Sequence, residues 1–366
     1  MPSFTVEDLL NTFPPPVCDD NDAFTPSQKP WTSEYPIFPR QYVTPYPETH
    51  AGVDEFLGPG DNPSAADFLG LATPAHRPNP IKQHILSEAD VSRDFDQNIA
   101  PGTALAFSGP SAVTMVQGRL RPNGPELRQR SMMKPPTSTS ARNIDWQFEM
   151  LHPDSRYITR AAIVGEMKKP RSLIIAEWVG EARPGAVTQL LMKEIRAYAH
   201  LYQCPQAFYY DSKYLLLIQF RALSADEIRS ENCLIDICAI PRESLHQLQC
   251  TMQYGLYRLT WRGWVRLSAT QSSTNHQDRL VASRVNLRSS HGMVRRYEFY
   301  SGLPVWMGRD GSEDFSHPDY CNSRRDFRWT SQQDGVWAWY IHMDWIEDDT
   351  ANCFVHSYWP PVQRLL

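Results

Sequence analysis

Ala161-Ala-Ile-Val-Gly-Glu-Met-Lys168, running on into Lys169-Pro170, is the stretch whose reading decides the fold. It opens on four apolar residues and ends on two charged side chains placed two residues apart, ahead of a proline that cannot continue a strand ladder. On a strand, successive side chains point to opposite faces, so Glu166 and Lys168 share one face and Met167 takes the other. Upstream, Ile144-Asp-Trp-Gln-Phe-Glu-Met-Leu151 alternates apolar and polar residues as a half-buried strand does, and His152-Pro-Asp-Ser155 has turn chemistry. Downstream, Val187, Leu190, Leu191, Ile195, Tyr198 and Tyr202 recur at helical spacing and predict a helix over roughly 186–203. Two strands follow, Gln206–Tyr210 and Tyr214–Phe220, separated by a tight Asp211-Ser-Lys213 turn. The order β-β-α-β-β is a compact α/β unit.

Further out, Cys233–Ile240 reads as an apolar strand stopped by Pro241, and Ser244–Leu267 as a helix. The stretch Ser268–Arg288 is polar and loop-like, and Tyr297–Met307, Val336–Trp345 and Cys353–Trp359 read as aromatic strands. Before residue 140 lie about two-thirds of the thirty prolines and little hydrophobic periodicity. Such a segment buries too little apolar surface to offset chain entropy and is expected to be largely disordered, with one candidate helix at 81–97. Glu7-Asp-Leu-Leu10, Asp54-Glu-Phe-Leu-Gly58 and Ala66-Asp-Phe-Leu-Gly70 resemble acidic–aromatic motifs that fold on a protein partner, or are coincidences of a biased composition. The expectation is an α/β protein with a mixed central sheet flanked by helices. Its parts are a disordered arm (1–138), a core with its following helix (139–268) and a β-rich C-terminal extension (269–366).

The composition is that of a soluble chain, 41% apolar and 21% charged. The net charge of −5 argues against wholesale electrostatic capture of nucleic acid, though not against a local basic groove. Seven scattered cysteines without a CxxC pair read as reduced thiols of an intracellular, nuclear or cytoplasmic protein. Acids stand near the N-terminus where a signal peptide needs cations, and no apolar run approaches the roughly 20 residues a membrane span needs, so no membrane role is expected.

The chemistry concentrates at Glu166 and Lys168. A neighbouring strand carrying Asp145 brings a second carboxylate to the same edge. Two carboxylates, a backbone carbonyl and waters suit Mg²⁺, a hard cation that keeps several waters and meets phosphates. Such a metal lowers the pKa of an attacking water, and Lys168 would orient that water or stabilise the developing negative charge. An ExK tripeptide alone is a weak signal and also describes an exposed ion pair at a strand end. Its position in the β-β-α-β-β order is what strengthens it.

Asp145, Val164-Gly-Glu-Met-Lys-Lys-Pro170, Gln189-Leu-Leu-Met-Lys-Glu-Ile-Arg-Ala-Tyr198 and Phe208–Phe220 together resemble the fungal proteins of the PD-(D/E)XK nuclease superfamily over residues 139–222. The resemblance implies a mixed sheet flanked by helices, Mg²⁺ or Mn²⁺, and hydrolysis of DNA or RNA phosphodiesters. Carried onto this chain, it implies Asp145 and Glu166 as metal ligands, Lys168 as the catalytic lysine, and Gln189 as the polar helix residue directed at the site. Pro153-Asp154 also precedes the ExK at acceptable spacing, so Asp154 stands as the alternative ligand. An upstream helical acid has no clear position; Glu88 and Glu126 are the options. A second function class remains open: a nuclease-like scaffold without the chemistry, serving as a binding or regulatory protein.

Other features are less specific. Gln189, Lys193, Arg196 and His200 share a polar helix face, either meeting phosphates or simply solvated. Arg258, Arg262 and Arg266, interleaved with Trp261 and Trp264, form either a nucleic-acid ridge or a helix with buried tryptophans and solvated arginines. Arg324, Arg325 and Arg328 are a second basic cluster, and Asp344 with Glu347-Asp-Asp349 reads as a solvated loop. There is no HxxxH, P-loop or GxSxG motif.

Overall fold

The computed structural model describes residues 4–19, 29–57, 70–78, 83–108, 143–152, 155–222 and 224–275, together with strands within 113–133 and 294–356 and the turn at Phe299–Tyr300. A seven-stranded mixed sheet forms its centre. In chain order its strands are β1 (Val43–Tyr46), β2 (Leu127–Met133), β3 (Ile144–His152), β4 (Ser155–Met167), β5 (Gln206–Tyr210), β6 (Tyr214–Phe220) and β7 (Ile235–Pro241). Across the sheet they run β1-β7-β6-β5-β4-β3-β2. The helices of five or more residues among those described are α1 (Val6–Leu10), α2 (His50–Leu57), α3 (Glu88–Asp94), α4 (Ala100–Ser108), α5 (Ala186–Leu201) and α6 (Met252–Asn275). Among the described residues, no helix is long and apolar enough to cross a membrane.

β3 and β4 form an antiparallel hairpin, whereas β4 and β5 are parallel, with Glu166 opposite Tyr209 and Met167 opposite Tyr210. A parallel step needs a crossover connection, and α5 supplies it. Strand alternation then sorts the core into two layers. Val164, Ala207, Tyr209, Leu216, Ile218 and Ile237 pack with α5 residues Leu191, Ile195 and Tyr198. Trp146, Phe208, Tyr210, Leu217 and Ile240 pack on the other side with α1, α2, α3, α4 and α6. Two glycines allow the closest approaches. A Cβ on Gly165 would stand 2.0 Å from the Phe208 ring, and one on Gly263 of α6 would stand 2.0 Å from the Ala162 carbonyl oxygen of β4.

The N-terminal region differs from its expected disorder wherever it is described. Val6, Leu10, Val53, Phe56, Leu57, Val91, Phe95 and Ile99 are buried in the α6-side core. Proline hides the periodicity, but short helices still start cleanly: Thr5 with Asp8 and Ser87 with Asp90 each form a reciprocal capping box. The predicted helix at 81–97 becomes a short strand at Gln83–Ile85 followed by α3, a π-helical turn at Phe95–Ile99 and α4. The Leu-Leu and Phe-Leu pairs of the first two acidic motifs are buried; residues 66–69 of the third lie outside the described residues.

Residues 29–46 form a strap along α5. Trp31 meets Tyr198 edge to face at 5.5 Å, Tyr35 hydrogen-bonds His200 at 3.0 Å, and Phe38 packs against Trp178 and Phe220. The strap then enters the sheet as β1, paired in parallel with β7. This second layer corrects the reading of Arg196 as a solvated or phosphate-facing residue. It is fully buried, donates to the Ile228, Ser230 and Ile37 carbonyls, and lies over the Phe38 and Phe220 rings.

The last helix also moves. It begins at Met252 rather than Ser244 and continues to Asn275 through residues expected to be loop. The 244–249 stretch leaves Leu245 and Leu248 69% and 74% exposed, so no apolar stripe holds it as helix. Neither reading of the Arg/Trp pattern survives whole. Trp261 and Trp264 are buried, but so are Arg258, paired with Asp54, and Arg266, bonded to Gln206 and the Ala161 carbonyl.

Candidate functional site

Glu166 is the penultimate residue of β4, and Lys168 follows its end. Both project toward α5 at the carboxyl ends of the parallel pair β4 and β5, the end where open α/β sheets gather ligands. Met167 turns to the opposite core, and the Lys168 N–H donates to the Tyr210 carbonyl, which fixes the strand end.

Asp145, near the start of β3, is locked onto the same strand end by the backbone. Its N–H donates to Glu166 Oε2 at 3.3 Å, and its Oδ2 accepts the Met167 N–H at 3.0 Å. Two further residues complete the cluster. Glu194 of α5 and Lys29 of the strap meet Glu166 and Lys168 in a closed ring. Lys168 Nζ donates to Glu166 Oε1 and to Glu194 Oε1, both at 3.1 Å. Lys29 Nζ donates to the same two oxygens, at 2.8 Å to Glu166 and in a closer contact to Glu194. Lys29 also donates to the Tyr198 hydroxyl at 2.9 Å, whose own proton goes to the Asn143 carbonyl.

Three members of the ring are withdrawn from solvent, Glu166 being 2% exposed, Glu194 4% and Lys168 5%, while the Lys29 side chain keeps 23% of its surface exposed. Three carboxyl groups face two ammonium groups, and their pKa values divide accordingly. Burial works against the charge on Glu166, but Lys168 and Lys29 outweigh it and hold Glu166 below the usual carboxylate range. Burial pushes Glu194 up to about 7; Lys168 opposes the push and the Glu166 charge reinforces it. Burial and the Glu166 charge push Asp145 up to about 6, against the Met167 N–H and the two lysines. Burial disfavours charge on both lysines, yet the carboxylates keep each above the ordinary lysine value.

The chain matches no family model, no curated protein and no solved structure. The chemistry of the site therefore rests on its own geometry. Among the described residues, no group of three or more His, Cys, Asp or Glu side chains is arranged to hold a metal ion. Mg²⁺ or Mn²⁺, implied by the family resemblance, does not fit the ring as it stands. Of the implied ligands, Glu166 Oε1 already accepts from two ammonium groups and Asp145 Oδ2 from the Met167 N–H, and a carboxylate as buried as that of Glu166 leaves no space for the waters Mg²⁺ retains.

Of the residues singled out in the sequence, Asp145, Glu166 and Lys168 come together. Gln189 does not: its side-chain amide donates to the Pro184 carbonyl at 2.9 Å, just before the start of α5. Glu88 is exposed in the first turn of α3, away from the ring. Asp154, Glu126, Arg324, Arg325, Arg328, Asp344 and Asp349 lie outside the described residues. Ser155, next to Asp154, pairs with His152 at the end of the hairpin opposite Glu166. Sequence reasoning missed Glu194 and Lys29. Glu194 had a signal, because it interrupts the stripe Leu191-Ile195-Tyr198 as an acid on the buried face. Lys29 had none, standing 137 residues from Glu166 beside a proline.

Proposed function

We propose that the chain is a nuclease-type α/β scaffold whose reactive centre is closed by an internal ion-pair ring, and that it works as a binding or regulatory protein. The observation that carries this reading is the burial of Glu166, Glu194 and Lys168 with both Oε1 atoms engaged by Lys29 and Lys168. A phosphodiesterase of this type must bring a phosphate to the lysine and to the carboxylate-bound metal together. Here neither is open to a substrate.

A second reading, metal-dependent hydrolysis of DNA or RNA through Asp145, Glu166 and Lys168, is favoured by one observation. The three residues meet at the carboxyl end of β4 beside β5 in the β-β-α-β-β order. In that state Lys168 would offset charge on the phosphate, while the ring would have to open first.

Incubating the wild-type chain with single- and double-stranded DNA and RNA in Mg²⁺ or Mn²⁺ separates the two. The scaffold reading expects no cutting above that of Glu166→Ala and Lys168→Ala. Cutting by the wild type that both substitutions abolish overturns it. Fluorescence anisotropy of the same oligonucleotides in EDTA then reads whether the scaffold takes nucleic acid as its partner.

A further inference from the structure

Residues 243–248, between β7 and α6, are all exposed, yet the segment is anchored in the interior at both ends. Ahead of it, Arg242 is 3% exposed and donates to Asp94, Tyr210 and the Pro15 and Ser212 carbonyls. Behind it, Gln249 is equally buried, and its side chain folds back into the loop. The Gln249 amide donates to the Pro241 and Glu243 carbonyls and accepts the Leu245 N–H at 2.7 Å. The backbone is also tied to α2 and the turn before it. Gln249 bridges Thr49, the Cys250 N–H donates to the Glu48 carbonyl, and the Leu248 backbone bonds His50.

Out of this fixed loop stand Leu245 and Leu248, 69% and 74% exposed. A lone exposed apolar residue is ordinary, and Leu86, Ile174 and Leu234 are such cases. The loop leucines differ from these. Among the described residues they are the most exposed of the large hydrophobics, they lie three residues apart, and the Gln249 bonds keep their backbone from folding over them. Their surroundings are acidic. Glu243 is exposed beside them, Glu48 meets His246 of the loop at 3.4 Å, and Glu7 is exposed on α1, where Asn11 bonds both the Glu7 carbonyl and His50. Of the cations in the loop and the turn below it, Arg242 is paired with Asp94, His246 bonds Glu48, and the Lys213 charge acts on buried Asp211.

We propose that this loop is a docking surface for a protein partner whose contact segment is a basic amphipathic helix, its apolar face laid on Leu245 and Leu248 and its cations meeting Glu243, Glu48 and Glu7. A helix offers apolar residues at three- and four-residue steps with charges alongside, the form that covers two neighbouring leucines inside a carboxylate rim. Because the loop is already rigid, docking on it costs little ordering. The acidic rim disfavours the other occupants. It repels an anionic lipid surface, and a second copy of this chain would set carboxylates against carboxylates. The loop leaves the end of β7, with β5 and β6 between it and β4, so the proposal stands independently of the closed ring.

The test is fluorescence anisotropy with two labelled synthetic amphipathic helices, one of leucine and lysine and one of leucine and glutamate. Each is titrated with the full-length wild type, with Leu245→Ser/Leu248→Ser and with Glu48→Gln/Glu243→Gln, after circular dichroism has compared their folds. The lysine helix is expected to bind the wild type, at least about tenfold more weakly the leucine variant, and about threefold more weakly the carboxylate variant. The glutamate helix is expected to bind none of them. Equal binding of the lysine helix by the wild type and the leucine variant overturns the proposal, since bare charge would then account for it. Equal binding of the two helices by the wild type, or no binding of either, overturns it as well. Sedimentation of the same proteins, alone and with phosphatidylserine vesicles, reads the other occupants. Self-association or vesicle binding that the leucine variant loses overturns the choice of a basic helix as partner. A leucine variant that does not fold also overturns the proposal, because the two leucines would then belong to the core.

Discussion

Two buried ion-pair systems lie on opposite faces of the sheet, and they are built on different principles. On the α6 side, Arg242 and Asp94 form a bidentate pair at 2.7 and 2.9 Å. The same guanidinium donates to the Tyr210 hydroxyl and to the Pro15 and Ser212 carbonyls. One cation meets one anion, and the planar fork of arginine satisfies its surroundings, which is the expected form of a structural pair. On the α5 side, two lysines, each a point charge, are shared between Glu166 and Glu194 with Asp145 bonded alongside, and the Asp145 and Glu194 pKa values are raised to about 6 and 7. The first system is saturated. The second holds more acidic groups than it can compensate, and that excess marks it as the functional candidate.

The largest expected effect comes from breaking the saturated pair. Arg242→Met strands Asp94 in the interior and should lower stability by about 3–5 kcal/mol in urea unfolding. Adding Asp94→Asn should recover much of the loss, and a double variant as unstable as the sum of the singles would show that the two residues do not act as a unit. Lys29→Met should cost less, about 1–3 kcal/mol, because the lysine is 23% exposed at its side chain and Lys168 still serves both glutamates. A loss equal to that of Arg242→Met would erase the distinction between a saturated structural pair and a shared ion-pair ring.

Glu194 gives a smaller effect with a definite sign. Its folded pKa is raised, so the folded state holds a proton that the unfolded chain releases. The contribution is complete below the ordinary glutamate value near 4.5 and fades as the pH climbs through about 7. Glu194→Gln should therefore flatten the decline in melting temperature over that window, and an unchanged profile would argue that Glu194 titrates normally. Gln189→Ala, which removes only a helix-entry hydrogen bond, should stay within about 0.5 kcal/mol of the wild type and leave the ring intact.

The β-β-α-β-β frame was legible because its strands and helix carry strong periodicity; β5 and β6 end where the residue pattern places them. Glu166 and Lys168 were legible from their two-residue spacing. Less local features were not. Proline breaks up the N-terminal text, yet capping boxes and isolated apolar residues suffice when a preformed sheet offers a surface to pack on. α5 appeared one-sided because helical spacing shows an apolar stripe, whereas Arg196 is buried by the Ile228 and Ser230 carbonyls together with the strap, a long-range contact that no local pattern announces. The same long-range contact delivers Lys29. A site closed from a distance reads, in sequence, as an open one.

The most direct measurement is a crystal structure of the wild-type chain grown with Mn²⁺, read in the anomalous difference map around Glu166 and Glu194. The account predicts the Lys29 ammonium between the two carboxylates and no manganese peak there. A manganese peak on Glu166, with Lys29 turned away from it, would contradict the account.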